Sequence, residues 1–189
     1  MQPQDINLLI ASRRSIFPNT YTDQPIPDKI IRQILENANW APTHRKTEPW
    51  RFKVLRGESR ARLAKFMANW YKENTPEEKF SGKKFEKLKK KPLLAPVIIA
   101  ICLRRDPEER VPEWEEIAAV AMAVQNMWLT CTANDIGCYW SSPAAALEAR
   151  DVLNLGEGER CLGLFYMGYH TMPAVAGQRG DIADKTEYL

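Results

Sequence analysis

Two stretches of this 189-residue chain carry side chains with chemistry to offer, and neither contains a nucleophile. Arg13-Arg14-Ser15 places two guanidiniums and a hydroxyl where a helical pattern yields to a loop. Charge-assisted donors of that kind suit a phosphate. Two solvated arginines are the plainer account of the same residues. The second stretch runs from Trp40 to Val54, WAPTHRKTEPWRFKV. Ala41-Pro42 stops the helix before it, because proline lacks an amide donor and restricts its predecessor. Pro49 then releases Trp50-Arg51-Phe52-Lys53-Val54, an alternating run whose Trp50, Phe52 and Val54 should face a core. Between the prolines lie His44, Arg45 and Lys46, which fit an anion or ring-edge contact. A solvated connection fits them equally well.

Other chemistries are disfavoured by residue type and spacing. The only histidines are His44 and His170, and no cluster has metal-ligand spacing, so no metal is expected. There is no GxSxG elbow, no GxGxxG and no P-loop, and Gly156-Glu157-Gly158 reads as a turn. Cys102, Cys131, Cys138 and Cys161 form no CxxC pair and lie in apolar or helical surroundings, as reduced thiols of a cytoplasmic protein would. Glu113, Glu115 and Glu116 could be paired carboxylates, although acids at a helix start more often answer its dipole. A net charge of +3 is too small to imply nucleic acid, and no apolar run reaches membrane-span length. The N-terminus has no signal-peptide order, and the chain reads as soluble.

These residues need elements to hold them. Helical spacing predicts a first helix over Asp5–Arg14 and a second from Asp28, as its cap, through Ile30, Ile31, Ile34, Leu35 and Ala38. Ser59 is expected to cap a third, with Leu63, Met67, Trp70 and Tyr71 inward. Residues 72–92 are charged and basic, and read as a surface insertion or a mobile lid. Ala95–Leu103 is a continuous apolar run, expected as a central strand covered on both faces. Glu113–Asp135 is a long alanine-rich helix, apolar around most of its circumference, so it must be buried in this core or against another copy. A short strand over Gly137–Trp140, a helix capped by Ser142 with Pro143 in its first turn, and a strand over Cys161–Met167 follow. The tail from His170 reads as an arm or frayed end of a single domain spanning residues 1–189.

The order and spacing of these landmarks resemble the nitroreductase family of FMN-dependent oxidoreductases, in its compact single-domain branch, over about residues 5–170. The likeness rests on a helix ending in RRS, a helix ending in WAP, then H…PWRF, the alanine-rich helix, GCYWSS and GLFYMGY. It implies an α+β nitroreductase-like fold with a small, mainly antiparallel sheet flanked by helices. It also implies FMN as cofactor, NAD(P)H as co-substrate, and ping-pong hydride transfer through flavin N5 to flat, electron-poor acceptors such as nitroaromatics or quinones. No side-chain acid or base is then required. By the same resemblance Arg13, Arg14 and Ser15 would contact the flavin phosphate and ribityl chain. Trp40 and His44 would also contact FMN, and Trp140, Ser141 and Ser142 would meet it from the far side. A homodimer with FMN at the subunit interface is implied, with the helix from Ile117 to Leu129 as dimer surface and the tail embracing the neighbour. Lys46 and Glu48 stand where many members have asparagine and glutamine, and Arg179 is a weak match to the family's C-terminal phosphate contact. Two readings from other classes are a flavin- or anion-binding protein without turnover, and a nucleic-acid module built on Lys83–Lys91.

Overall fold

The computed structural model describes residues 2–173 and 175–189. Strands β1 (Trp50–Leu55), β2 (Val97–Arg104), β3 (Ile136–Ser141) and β4 (Glu159–Tyr169) form one antiparallel sheet in the order β1-β2-β4-β3. Helices α1 (Pro3–Ser12), α2 (Asp28–Asn39), α3 (Glu58–Glu73), α4 (Gly82–Lys90), α5 (Glu113–Ala133) and α6 (Ala144–Leu147) surround it.

β2 is apolar at consecutive positions because both faces of the sheet are covered. Val97, Ile99, Ile101 and Leu103 point into a core shared with α2 and α5. Ile98, Ala100 and Cys102 point into a second core under α3 and α6. Each such side chain contributes about 1.5–3 kcal/mol by leaving water. β3 and β4 repeat the alternation, Cys138 and Phe165 joining the first core and Leu164 and Tyr166 the second.

Several boundaries differ from expectation. α1 begins and ends two residues early, and none of its side chains is buried. Asp28 is the first residue of α2 rather than its cap, since Pro27 already sets the extended entry, and its carboxylate pairs with Arg56 at 2.5 Å. Gly57, in the left-handed region at φ 49°, precedes α3, so Ser59 falls inside the helix and its hydroxyl bonds Arg56 instead. Ser142 caps nothing: α6 is a single turn entered from Pro143. Val54, near the end of an edge strand, is 41% exposed, and the buried residue there is Leu55 on the opposite face. Both flanking strands are longer than their apolar runs, because ladder bonds continue past the last apolar residue.

Residues 72–92 hold the end of α3, a turn and α4, mostly exposed. Ser81 caps α4 by accepting from the Lys84 amide, Tyr71 and Phe80 stack at 5.5 Å, and Leu88 turns inward onto the second core. A turn over Lys91–Leu94 leads straight into β2.

The three acids at the start of α5 are clamps. Glu113 pairs with Arg160 at 2.5 Å, Glu115 with His44 at 2.6 Å, and the buried Glu116 with Arg105 at 2.9 Å. Glu116 also accepts from the Asp106 amide, and Asp106 binds Arg110 at 2.7 Å. The Arg110 bond holds the Asp106 carboxyl down at about 2, against an ordinary 3.8. A carboxyl depressed on folding stabilises the fold above its unfolded value and loses that effect as pH falls through its folded one. The stability advantage of the wild type over Asp106→Asn, measured by denaturant titration, should therefore be full above pH 3.8 and shrink as pH falls toward about 2. An advantage independent of pH would contradict the ion pair.

Candidate functional site

Arg13 and Arg14 turn to different partners. The Arg14 guanidinium donates to the carbonyls of Ala11 and Arg13 at 2.7 Å and of Val175 at 2.9 Å. It thereby closes carbonyls left open where α1 ends and ties the tail to that helix. Arg13 turns the other way, with its guanidinium 4.7 Å above the Trp128 ring, and donates to no acceptor among the described residues. Trp128 is itself held by its Nε1, which donates to the Arg14 carbonyl at 3.0 Å. Ser15 opens into a crevice of about 710 Å³ that also reaches Arg14, Asp135 and His170. Asp135, at its rim, opposes an anion there, while the His170 Nδ1 is occupied by the Met172 amide.

From Ser15 the chain runs along the outer edge of β3. The Ile16 amide donates to the Cys138 carbonyl at 3.0 Å, and the Phe17 ring lies 4.6 Å from that of Tyr139. Next along β3, the Trp140 indole fills the space beside Gly163, and its buried Nε1 finds no acceptor among the described residues. Ser141 points to the opposite face, where its Oγ accepts from Lys91 Nζ at 3.3 Å. Ser142 is exposed at the strand's end. The Lys91 ammonium lies 4.5 Å from the Tyr139 ring and 4.9 Å from that of Tyr166. Burial pushes it below its ordinary value, and pushes the unpartnered Tyr166 hydroxyl above its own. Sequence reasoning passed over Lys91 because it closes a lysine run; its spacing of three from the inward Leu88 was the available signal.

Trp40 and His44 lie elsewhere. Trp40, directly after α2, is 85% exposed. His44 bonds Glu115 in the first turn of α5, whereas Arg13 stacks on Trp128 near its last turn. Thirteen residues at 1.5 Å each separate those anchors by ~20 Å. The eight candidates are thus spread out: Arg13, Arg14, Ser15, Trp140, Ser141 and Ser142 lie around β3, His44 lies at the start of α5, and Trp40 follows by one turn Asn37, which bonds Thr130 of α5 at 2.9 Å. The loop carrying His44 is strained: Arg45, Lys46 and Glu48 have φ of 52°, 54° and 42°. Left-handed backbone costs a side-chain-bearing residue about 1–2 kcal/mol, less for asparagine. Thr43 braces the loop by accepting from the Glu48 amide at 3.2 Å.

All four thiols are buried, and no cluster of three or more His, Cys, Asp or Glu residues suited to a metal occurs among the described residues. The arrangement offers cations, hydroxyls and ring faces, which bind and orient rather than attack.

The model described as Nitroreductase family matches residues 10–169. The chain belongs to the nitroreductase family. It is an enzyme of the oxidoreductase class, as that membership states. The “Putative NAD(P)H nitroreductase YfhC” of Bacillus subtilis is 29% identical over 180 residues, covering 94% of this chain and 90% of that one. A nitroreductase-like protein of Bacillus cereus superposes with TM-score 0.83 at 27% identity, covering 100% of this chain and 98% of that one. A Desulfovibrio desulfuricans protein crystallised with FMN gives TM-score 0.71 at 25% identity, over 100% and 98%.

Two substitutions test the local account. Lys46→Asn should raise stability by about 1 kcal/mol, because asparagine tolerates the left-handed backbone. Gly163→Ala should lower it by roughly 2 kcal/mol or more, since its Cβ would fall 2.5 Å from Trp140 Nε1 and its φ is +141°. Denaturant midpoints measure both, and a neutral Gly163→Ala would overturn the packing argument.

Proposed function

We propose that this nitroreductase-family chain is an FMN-dependent NAD(P)H oxidoreductase that reduces nitroaromatics, quinones or similar flat, electron-poor acceptors. The observation that carries the reading is the Arg13 guanidinium, which stacks on Trp128 and donates to no acceptor among the described residues, two residues before the Ser15 crevice. The FMN-bound relative and the NAD(P)H in the name of YfhC support the same cofactor and co-substrate.

The residues present suit that group. A dianionic phosphate matches a cation without a carboxylate partner beside a hydroxyl. Lys91, held against Ser141, puts positive charge at the other end of the edge, where a flavin ring would gain charge on reduction. Phe17 and Tyr139 supply flat apolar walls that keep water away. FMN itself supplies the two-electron hydride chemistry, in ping-pong fashion between NAD(P)H and the acceptor. The protein has to bind, orient and supply fixed charge, with no side-chain acid or base.

A homodimer completes the site in this reading. His44, bonded to Glu115, is anchored ~20 Å along α5 from the Trp128 ring that holds Arg13, too far for one chain to bring both against one ring. Two copies related by a two-fold axis, with their α5 helices antiparallel, bring those anchors of opposite chains together. The uncovered apolar surface supports this: on α1 Leu8 is 71% exposed and Ile10 is exposed beside it, and on α5 Trp114 is 67% exposed, with Ile117 and Met122 exposed further along. In this reading the tail from His170 extends over the neighbour. We place the enzyme in the cytoplasm, in keeping with its four unpaired thiols. No helix among the described residues is long and apolar enough to cross a membrane.

Against the nucleic-acid reading, the lysine run is partly spent internally. Lys84 covers the Tyr71 ring, Lys90 leans toward Glu86, and Lys91 turns inward. A binding protein without turnover would be yellow yet would not bleach with NADH or NADPH; this protein should do both.

Arg13→Ala should purify with little flavin yet keep near-wild-type stability. Arg14→Ala should instead lower the melting temperature, because it leaves carbonyls of α1 unpaired. Mixing refolded Arg13→Ala and His44→Ala chains tests the shared site: random pairing restores one intact site in each mixed dimer, roughly a quarter of all sites. No recovery of flavin content on mixing would sink the two-chain arrangement.

A further inference from the structure

Between α4 and the β3 edge lies a groove of about 420 Å³, lined in part by Phe17, Asn19, Lys87, Lys90, Lys91 and Tyr139. Its size lies within the range of about 300–1,000 Å³ usual for small-molecule pockets. Its walls combine two features that rarely coincide on a purely solvated surface. The Phe17 and Tyr139 rings, 4.6 Å apart and tilted by 50°, offer flat apolar faces. Three lysines line the same space, and no carboxylate lines it among the described residues.

The three lysines differ in how far they are committed. Lys91 is engaged by Ser141 and two tyrosine rings at the inner end. Lys90 has only an exposed contact to Glu86 at 3.7 Å, of the kind that water and salt screen. Lys87 has no acidic partner among the described residues, and one helical turn sets it beside Lys91, where like charges repel. Positive potential therefore remains uncompensated at the mouth. A bare inorganic anion would leave the rings unused, and a neutral ring would leave the cations unused.

We propose that Lys87 and Lys90 bind the negative group of the acceptor, so that the preferred substrates are planar aromatic carboxylates rather than neutral aromatics. This rests on the FMN reading, because it is Lys91 and Ser141 that join the groove to the proposed ring site. The lysines select: they set acceptor affinity and leave the electron transfer itself to the cofactor. Cationic acceptors are excluded by the same charges.

The test uses the protein as purified, in wild-type form and as the double variant Lys87→Gln/Lys90→Gln. Calorimetric titration with benzoate and with neutral benzamide measures binding without turnover. Benzoate should bind about tenfold more tightly than benzamide at low salt, and the double variant should lose that preference. Steady-state assays with NADH should show KM for 4-nitrobenzoate rising about tenfold in the variant, with kcat, and both constants for 4-nitrobenzamide, unchanged. Equal affinity for benzoate and benzamide in the wild type, or a preference that survives loss of both lysines, overturns the proposal. Flavin content and bleaching of the same samples report separately on the FMN reading. A yellow protein that bleaches but shows no preference for the anion rejects the lysine assignment alone. A colourless protein with lysine-dependent benzoate binding upholds the anion site and rejects the flavin.

Discussion

Helix α5 must cross one face of the sheet along its length, because Ala119, Val120, Ala123, Val124, Met127 and Cys131 have no other way out of water. That burial makes it a rod ~30 Å long with two ends that are chemically distinct. At the start, Glu113, Glu115 and Glu116 each hold a basic side chain from a different part of the chain, and they do so at the positive end of the helix dipole. Near the finish, Trp128 supports Arg13 with its ring and the Arg14 carbonyl with its nitrogen. The two clusters of polar side chains are separated because the rod between them is rigid. Apolar side chains left uncovered on α1 and α5 lie on the outside of this rod and of its neighbour.

The edge of β3 does the complementary work on the other side. Residues 15–17 run beside it, with one crevice opening at Ser15 and a separate groove at Phe17. The price is paid in unsatisfied or displaced groups: a buried Trp140 nitrogen, a Tyr166 hydroxyl without a partner, and a Lys91 ammonium partly stripped of water. Local strain gathers at the opposite cluster, where three residues near His44 occupy left-handed backbone. Groups kept in such states are usually held there by a functional demand on the surrounding structure.

Much of this was legible from residue order. Period-two and period-3.6 patterns located the strands and helices, since burial of one face is a local property that a linear pattern records. β2 declared itself by having no polar face at all, and RRS, WAP, PWRF and YWSS indicated the family because their order survives at low identity. Caps were less legible. Asp28, Ser59 and Ser142 are all competent cap residues, yet Pro27, Gly57 and Pro143 set the turns, and the side chains found other partners. The division of Arg13 from Arg14 could not be read either, because adjacent residues leave a helix end in different directions. The local pairing of Tyr71 with Phe80 at the start of the 72–92 segment had no period to announce it.

The sequence by itself determined the family, the mainly antiparallel sheet with helices on both sides, and the absence of nucleophile or metal motifs, because all of these follow from residue types and their spacing. Tertiary structure decided that Arg13 and Arg14 turn to different partners, that Lys91 turns inward beside Ser141, and that His44 is held at the opposite end of α5 from Trp128. Those outcomes depend on which distant surfaces meet, and no local pattern encodes that.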